Sequence, residues 1–151
     1  MTRHPIRRWC GNALAVGRLL PAYVALGALK HVVPVQTLAR WVWRQPTRVA
    51  DHRAIDTAVA RVGRTRSLLG MGDRDCLQRS LLLYRELSGL GADPTLMIGF
   101  RQSANKVQGH AWVVAHEDVV AEPTEIAEFV PTFSFGRRGE LVRAHGETAG
   151  S

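Results

Sequence analysis

The sequence predicts an α+β fold in which a helical N-terminal half packs on one amphipathic helix and a small antiparallel sheet. Three observations predict it. Apolar residues recur at helical spacing through residues 1–70, and residues 74–88 form an amphipathic run that ends at glycines. From Thr95 onward, short β-branched and aromatic segments are separated by polar turns. A chain of 151 residues can bury a core of this kind as a single domain, without disulfides or metal.

The first half is predicted to contain three helices. Residues 8–31 are apolar, and Pro21 is expected to break that helix. A second helix begins after Pro34 and stops before Pro46, and a third is capped by Asp51. The faces expected to be buried are Leu38, Trp41 and Val42 in the second helix, and Ile55, Ala58, Val59 and Val62 in the third.

The second half is predicted to begin with a helix over 74–88, capped by Asp73 and stopped by Gly89 and Gly91. A strand over 95–100 and a polar loop over 101–108 follow. The remaining elements are a hairpin of 110–115 with 119–122 and an edge strand within 129–135.

A composition change near Gly70 and Gly72 divides the chain. Residues 1–70 hold 12 Lys and Arg against two Asp, a balance of +10, and residues 71–151 hold 8 basic against 11 acidic residues, a balance of −3. We therefore expect a helical, Arg-rich subdomain over 1–70, a core over 71–144 that contains the amphipathic helix and the strands, and a disordered tail over 145–151. The basic half favours an anionic partner, but no nucleic-acid-binding motif accompanies it, so nucleic acid is not expected.

The two cysteines are too few for a disulfide scaffold and indicate free thiols in a reducing compartment. The apolar segment from Leu19 to Leu29 is 11 residues long, whereas a membrane span needs roughly 20. We therefore predict a cytoplasmic protein and leave open a peripheral membrane contact through residues 12–33.

Cys76 is the candidate nucleophile. Near a helix start its sulfur meets unpaired backbone N–H groups and the positive end of the helix dipole, and both favour the thiolate. The same N–H groups can stabilise an oxyanion. The alternative is a buried structural cysteine, since cysteine packs as a small hydrophobe.

His110 is the candidate general base, at the start of a strand whose one face also carries Trp112 and Val114. The alternative is an ordinary strand histidine. For the acidic partner, a three-residue turn pairs Ala115 with Val119 and puts Glu122 on the His110 face, so Glu122 is preferred and Asp118 is the reserve.

Other residues have suitable chemistry without a fixed position. Gln108 and Asn105 are candidate oxyanion donors, and Arg79 and Ser80 are candidates for lining the cleft one turn beyond Cys76. Arg79 has an alternative structural role in an ion pair with Asp75. Trp112 is a candidate substrate contact, with a wall or core position as the alternative. The spacing of Cys and His predicts no metal site, and no Gly-rich loop predicts a nucleotide or other cofactor.

Three segments carry a family resemblance: CLQRSLLLYREL at 76–87, GADPTLMIGFR at 91–101 and GHAWVVAHEDVVAE at 109–122. Together they resemble the leader peptidases of lasso-peptide biosynthesis, the short B proteins with a transglutaminase/papain-like core. The resemblance implies a cysteine protease that removes the leader of a ribosomally made precursor, after which a separate ATP-dependent cyclase closes the macrolactam. It also implies that Cys76 is the nucleophile, that His110 is the base and that Glu122, twelve residues later, is the acid, where the family often has aspartate.

Some members of that family carry a fused leader-recognition domain, for which this sequence leaves no room, so the resemblance implies a separate leader-recognition protein as partner. Two other functions stay open. An amide-transfer enzyme would intercept the same acyl-enzyme with an amine, and a non-enzymatic helical adaptor would bind an acidic partner with Cys76 merely structural.

Overall fold

The computed structural model describes residues 6–47, 49–70, 75–120 and 126–144. For residues 6–16 and 143–144 it describes the backbone alone. These residues form an α+β fold, as predicted. The helices are α1 (Ile6–Leu29), α2 (Val35–Val42), α3 (His52–Leu68) and α4 (Cys76–Leu90). The strands are β1 (Thr95–Ser103), β2 (Lys106–Ala115), β3 (Asp118–Val120), β4 (Val130–Phe135) and β5 (Leu141–Ala144). Two 3₁₀ turns, Ile126–Glu128 and Arg137–Gly139, flank β4.

The helix α1 continues through Pro21, so the expected break there is wrong. Proline removes one backbone hydrogen bond and crowds the preceding turn, which costs about 3 kcal/mol in a helix interior. Three side chains of α1 offset that cost, since Leu19, Tyr23 and Leu26 are each no more than 5% exposed and form one face on both sides of the proline.

The other two N-terminal helices agree closely with the sequence prediction. In α3, the carboxylate of Asp51 accepts a 2.7 Å hydrogen bond from the amide of Ala54, which confirms it as the N-cap. In α2, Leu38 is buried as expected, but Trp41 is 64% exposed, so its place on the buried face is wrong. The short helix presents Ala39 beside Leu38 to the core instead.

The strands form one antiparallel sheet in the order β3-β2-β1-β4-β5. The polar loop expected over 101–108 is wrong, because β1 and β2 extend to a turn at Ala104 and Asn105. Polar side chains on an exposed hairpin give no apolar alternation to mark the strands. The expected edge strand is also corrected, since β4 lies between β1 and β5.

The turn between β2 and β3 has two residues, His116 and Glu117, and Ala115 pairs with Asp118. The expected three-residue turn is therefore wrong. Both turn residues have positive φ, 52° and 68°, as the favoured two-residue hairpin loops require. Asn and Gly are the usual signals for such a loop, and this sequence has neither there.

The core lies between the sheet and the helices. The sheet face that carries Leu96, Val113 and Phe135 packs with α4, whose Leu81 and Leu82 are fully buried. The helices α1, α2 and α3 all contact α4. No helix among the described residues is long and apolar enough to span a membrane. The expected seam at 71–72 and the tail over 145–151 lie outside the described residues.

Candidate active site

The thiol of Cys76 stands at the first residue of α4 and is half-buried. Asp75 is the residue that precedes the helix, so α4 begins two residues later than expected; Asp73, the predicted cap, lies outside the described residues. The helix ends as predicted near its glycines, with Gly91 at φ 79° in the left-handed conformation. Cys76 keeps the position that its proposed chemistry requires, in the first turn, where backbone N–H groups have no acceptor within the helix.

Three buried polar side chains hold this first stretch of α4 against three different elements. The carboxylate of Asp75 accepts a 3.2 Å hydrogen bond from Nε of Arg66 on α3. The amide of Gln78 donates to the backbone carbonyl of Tyr23 on α1. The hydroxyl of Ser80 donates a 2.8 Å bond to the carbonyl of Ala111 on β2. The segment that carries Cys76 is therefore fixed from three sides.

The ring of His110 lies between two aromatic side chains. Its centroid is 6.2 Å from that of Trp112, in a stacked arrangement, and 5.0 Å from that of Phe129. Trp112 in turn rests on Gly99, where a Cβ would come within 2.8 Å of the indole. The Arg101 guanidinium lies over the ring of Phe129, 4.7 Å from its centroid. This packing restricts the orientation of the imidazole.

The backbones that carry Cys76 and His110 are tied together through Ser80. Ser80 lies one helical turn after Cys76, a rise of about 6 Å, and its hydroxyl binds the residue that follows His110. Strand alternation sends the His110 side chain to the sheet face opposite Val113, whereas α4 packs on the Val113 face. The contact that relates Cys76 to His110 here is therefore one of their backbones, through Ser80, and the imidazole itself packs with Trp112 and Phe129.

The two candidates for the acidic partner of His110 are Glu122 and Asp118. Glu122 lies outside the described residues, and the register argument that favoured it does not hold, because it required the three-residue turn. Asp118 is exposed and lies opposite Ala115, five residues along β2 from His110, about 17 Å at the rise of a strand. The structure does not bring Asp118 to His110.

The other predicted residues occupy distinct places. Gln108 is exposed and accepts a 2.8 Å bond from Nε of Arg101, while Asn105 lies at the far tip of the β1–β2 hairpin. Trp112 is 3% exposed and stacks with His110, so it occupies the wall or core position that was the alternative to a substrate contact. Ser80, at 2% exposure, anchors α4 to β2 through its hydroxyl and does not face an open cleft.

Arg79 is buried, and its charge acts on the Asp75 carboxyl, while its alternative role in an ion pair with Asp75 stays a prediction. Burial raises the pKa of the Asp75 carboxyl, and the backbone amide of Asp75 and the charge of Arg79 oppose that rise. Two positive side chains, those of Arg66 and Arg79, therefore act on one buried carboxyl beside the thiol.

Sequence reasoning missed four residues that position α4: Arg66, Asp75 as the residue before the helix, Gln78 and Tyr84. Tyr84 is fully buried, donates to the carbonyl of Gly136 and accepts a 3.0 Å bond from the amide of Gly139. A glutamine and a tyrosine on the apolar side of an amphipathic helix were the available signal, since buried polar groups need partners.

A pocket of about 320 Å³ lies at the other end of α4, lined in part by Trp43, Ser88 and Arg137. The axial rise of α4 places it about 20 Å from Cys76, so it does not belong to this site. Within the described ranges, no three His, Cys, Asp or Glu side chains lie close enough together to hold a metal ion.

Comparison with known proteins adds one finding. A family profile described as the transglutaminase-like superfamily matches residues 16–134. No curated protein and no solved structure gives a significant match. The matched range takes in most of α1 and the whole of α4, β1 and β2, and so both Cys76 and His110.

Proposed function

Because the chain belongs to the transglutaminase-like superfamily, whose members are generally enzymes of the cysteine protease or acyltransferase kind, we propose that it is a cysteine peptidase. Its proposed reaction removes the leader peptide from a lasso-peptide precursor. The observation that carries the proposal is the position of Cys76 at the start of α4, with Ser80 joining that helix to the strand of His110.

The chemistry follows from these two residues. His110 takes the thiol proton, and Sγ of Cys76 attacks the carbonyl carbon at the end of the leader. The oxyanion that forms is stabilised by N–H groups in the first turn of α4. When the C–N bond breaks, His110 gives the proton to the leaving amine, which is the new N-terminus of the core peptide.

Hydrolysis completes the cycle. His110 takes a proton from water, whose oxygen attacks the thioester carbon, and the sulfur leaves and recovers that proton. Glu122 is proposed to orient the imidazole, on the strength of its position twelve residues after His110 in the family resemblance. Glu122→Gln is expected to lower kcat while leaving Cys76 in place to be alkylated.

The partners are proposed from the same resemblance: a separate leader-recognition protein, and an ATP-dependent cyclase that uses the released amine. We place the docking surface for an acidic leader or for the recognition protein on the basic helical half. Arg18, Arg40, Arg53 and Arg64 are exposed there. Such docking weakens as salt is raised, and an affinity that is independent of salt would argue for an apolar interface.

The decisive experiment incubates the precursor peptide and the recognition protein with wild type or with Cys76→Ala, and follows the products by mass spectrometry. Cleavage that is present in wild type and absent in Cys76→Ala supports the proposal. Cleavage that persists in the variant overturns Cys76 as nucleophile. Repeating the reaction with an added primary amine tests amide transfer, because a transferase would give a leader amide and a peptidase the free acid.

A further inference from the structure

Asp51 and Asp75 each precede a helix, and their side chains bond differently. An aspartate in that position ordinarily accepts a hydrogen bond from an amide in the first turn, as Asp51 does at 2.7 Å in α3. Asp75, before α4, makes no such bond. Its Oδ1 instead accepts from Nε of Arg66 on the neighbouring helix α3.

The start of α4 offers an alternative position for the Asp75 carboxylate. Asp75 is 4% exposed, and its Oδ2 is buried and accepts no hydrogen bond from any of the described residues. Asp51 caps α3 from an extended backbone with ψ at 164°, whereas ψ of Asp75 is 22°. A turn of that backbone torsion together with the side chain would bring the same carboxylate to the first-turn N–H groups of α4, where it would satisfy them as Asp51 does in α3. Arg66 and the amides of α4 therefore compete for one carboxylate.

We infer that Arg66 is a positioning residue for the proposed reaction: it holds Asp75 against α3 and so leaves the first-turn amides of α4 open to the substrate oxyanion. This inference rests on the proposed function. The same contact keeps a negative charge from turning toward the sulfur of Cys76. The charged side chains that act on the Asp75 carboxyl are Arg66 on α3 and Arg79 on α4.

Removal of Arg66 has a predicted consequence that depends on Asp75. In Arg66→Ala the released carboxylate caps α4, which occupies an oxyanion donor and disfavours the thiolate by like charge. We expect kcat to fall roughly 100-fold with little change in KM, since a single oxyanion-hole donor is typically worth 10²–10³ in kcat. The pH midpoint of Cys76 alkylation is expected to move upward.

The test is rescue by a second substitution. In a Cys10→Ser background, the rate of Cys76 alkylation by iodoacetamide is measured from pH 5 to 10, and kcat and KM are measured with the precursor. Arg66→Ala/Asp75→Ala is expected to recover most of both properties, because no carboxylate remains to cap α4. Arg66→Lys retains the cation and is expected to stay close to wild type, as is Thr57→Ala, at an exposed position on α3.

The outcomes separate this inference from the proposed function. A double variant as slow as Arg66→Ala, or slower, would show a merely structural ion pair and overturn the inference, while cleavage that requires Cys76 would still stand. Thermal melts of each variant identify unfolding, and Arg66→Lys gives a folded comparison if Arg66→Ala does not fold. A shift of the alkylation midpoint in Arg66→Ala that the second substitution reverses supports the inference even without a substrate.

Discussion

The hydroxyl of Ser80 donates a 2.8 Å hydrogen bond to the carbonyl oxygen of Ala111. This bond joins the helix that begins with Cys76 to the strand residue next to His110, and both of its partners are at most 2% exposed. The two residues proposed to act on the peptide bond stand on separate elements, so their relative position depends on contacts of this kind.

Ser80→Ala is expected to lower both stability and activity. The substitution leaves the buried Ala111 carbonyl without its donor, which costs about 1–3 kcal/mol, and it loosens α4 against β2. Urea unfolding and precursor cleavage measure the two effects. Ser67→Ala is the control, since that exposed hydroxyl donates within its own helix, to the carbonyl of Gly63. Equal effects of the two substitutions would contradict the anchoring role of Ser80.

Gly27→Ala is expected to displace Gln78. A Cβ at Gly27 would lie 2.9 Å from Nε2 and 3.2 Å from Oε1 of Gln78, so the bond from Gln78 to the carbonyl of Tyr23 would be lost. We expect a loss of about 1–3 kcal/mol in the free energy of unfolding and lower cleavage activity.

Two other helical glycines provide controls for that substitution. A Cβ at Gly17 or Gly63 would meet nothing within 4 Å. Alanine at either position is expected to stabilise the protein by up to about 1 kcal/mol, because alanine has the higher helix propensity. If Gly27→Ala also stabilises the protein, the position of Gln78 does not depend on its contact with α1, and the prediction is wrong.

Tyr84 predicts a pH dependence of stability. Burial raises the pKa of Tyr84 to about 12; the amide of Gly139 opposes the rise, and Asp93 and Glu140 add to it. The folded protein therefore retains the phenol proton to a higher pH than the unfolded chain does. The stability contributed by Tyr84 is complete below pH 10 and falls as the pH rises from 10 to 12.

The matched comparison for this effect is Tyr84→Phe. The difference in unfolding free energy between wild type and the variant should be constant from pH 7 to 9. It should shrink by about 1.4 kcal/mol by pH 11, the equivalent of one pKa unit. Urea unfolding at each pH gives the difference directly. A difference that stays constant to pH 11 would contradict the burial of the phenol.

Much of the helical part could be predicted from sequence because its signals are local. Asp51 caps α3, Pro34 precedes α2, and Gly91 ends α4, each through the conformation of one residue and its neighbours. The continuation of α1 through Pro21 could not be predicted in this way. It depends on Leu19, Tyr23 and Leu26 finding a buried face, which is a property of the tertiary structure.

The arrangement of the site was less accessible from sequence. The place of Cys76 at a helix start and the shared face of His110 and Trp112 follow from local pattern, and both were predicted. The two-residue turn between β2 and β3 was not predicted, because His116 and Glu117 adopt positive φ although neither is Asn or Gly. The pairing of Arg66 with Asp75 joins two helices, and neither residue carries a sign of that partner in its local sequence.

The most direct test of the account is the dependence of cleavage on the Cys76 thiol. The Cys10→Ser protein is alkylated in steps with iodoacetamide, and each sample is analysed by intact mass, peptide mapping and precursor cleavage. We predict that cleavage falls in proportion to carboxamidomethylation of Cys76, and that bound precursor slows this modification. A protein fully alkylated at Cys76 that still cleaves the precursor at the wild-type rate would contradict the account.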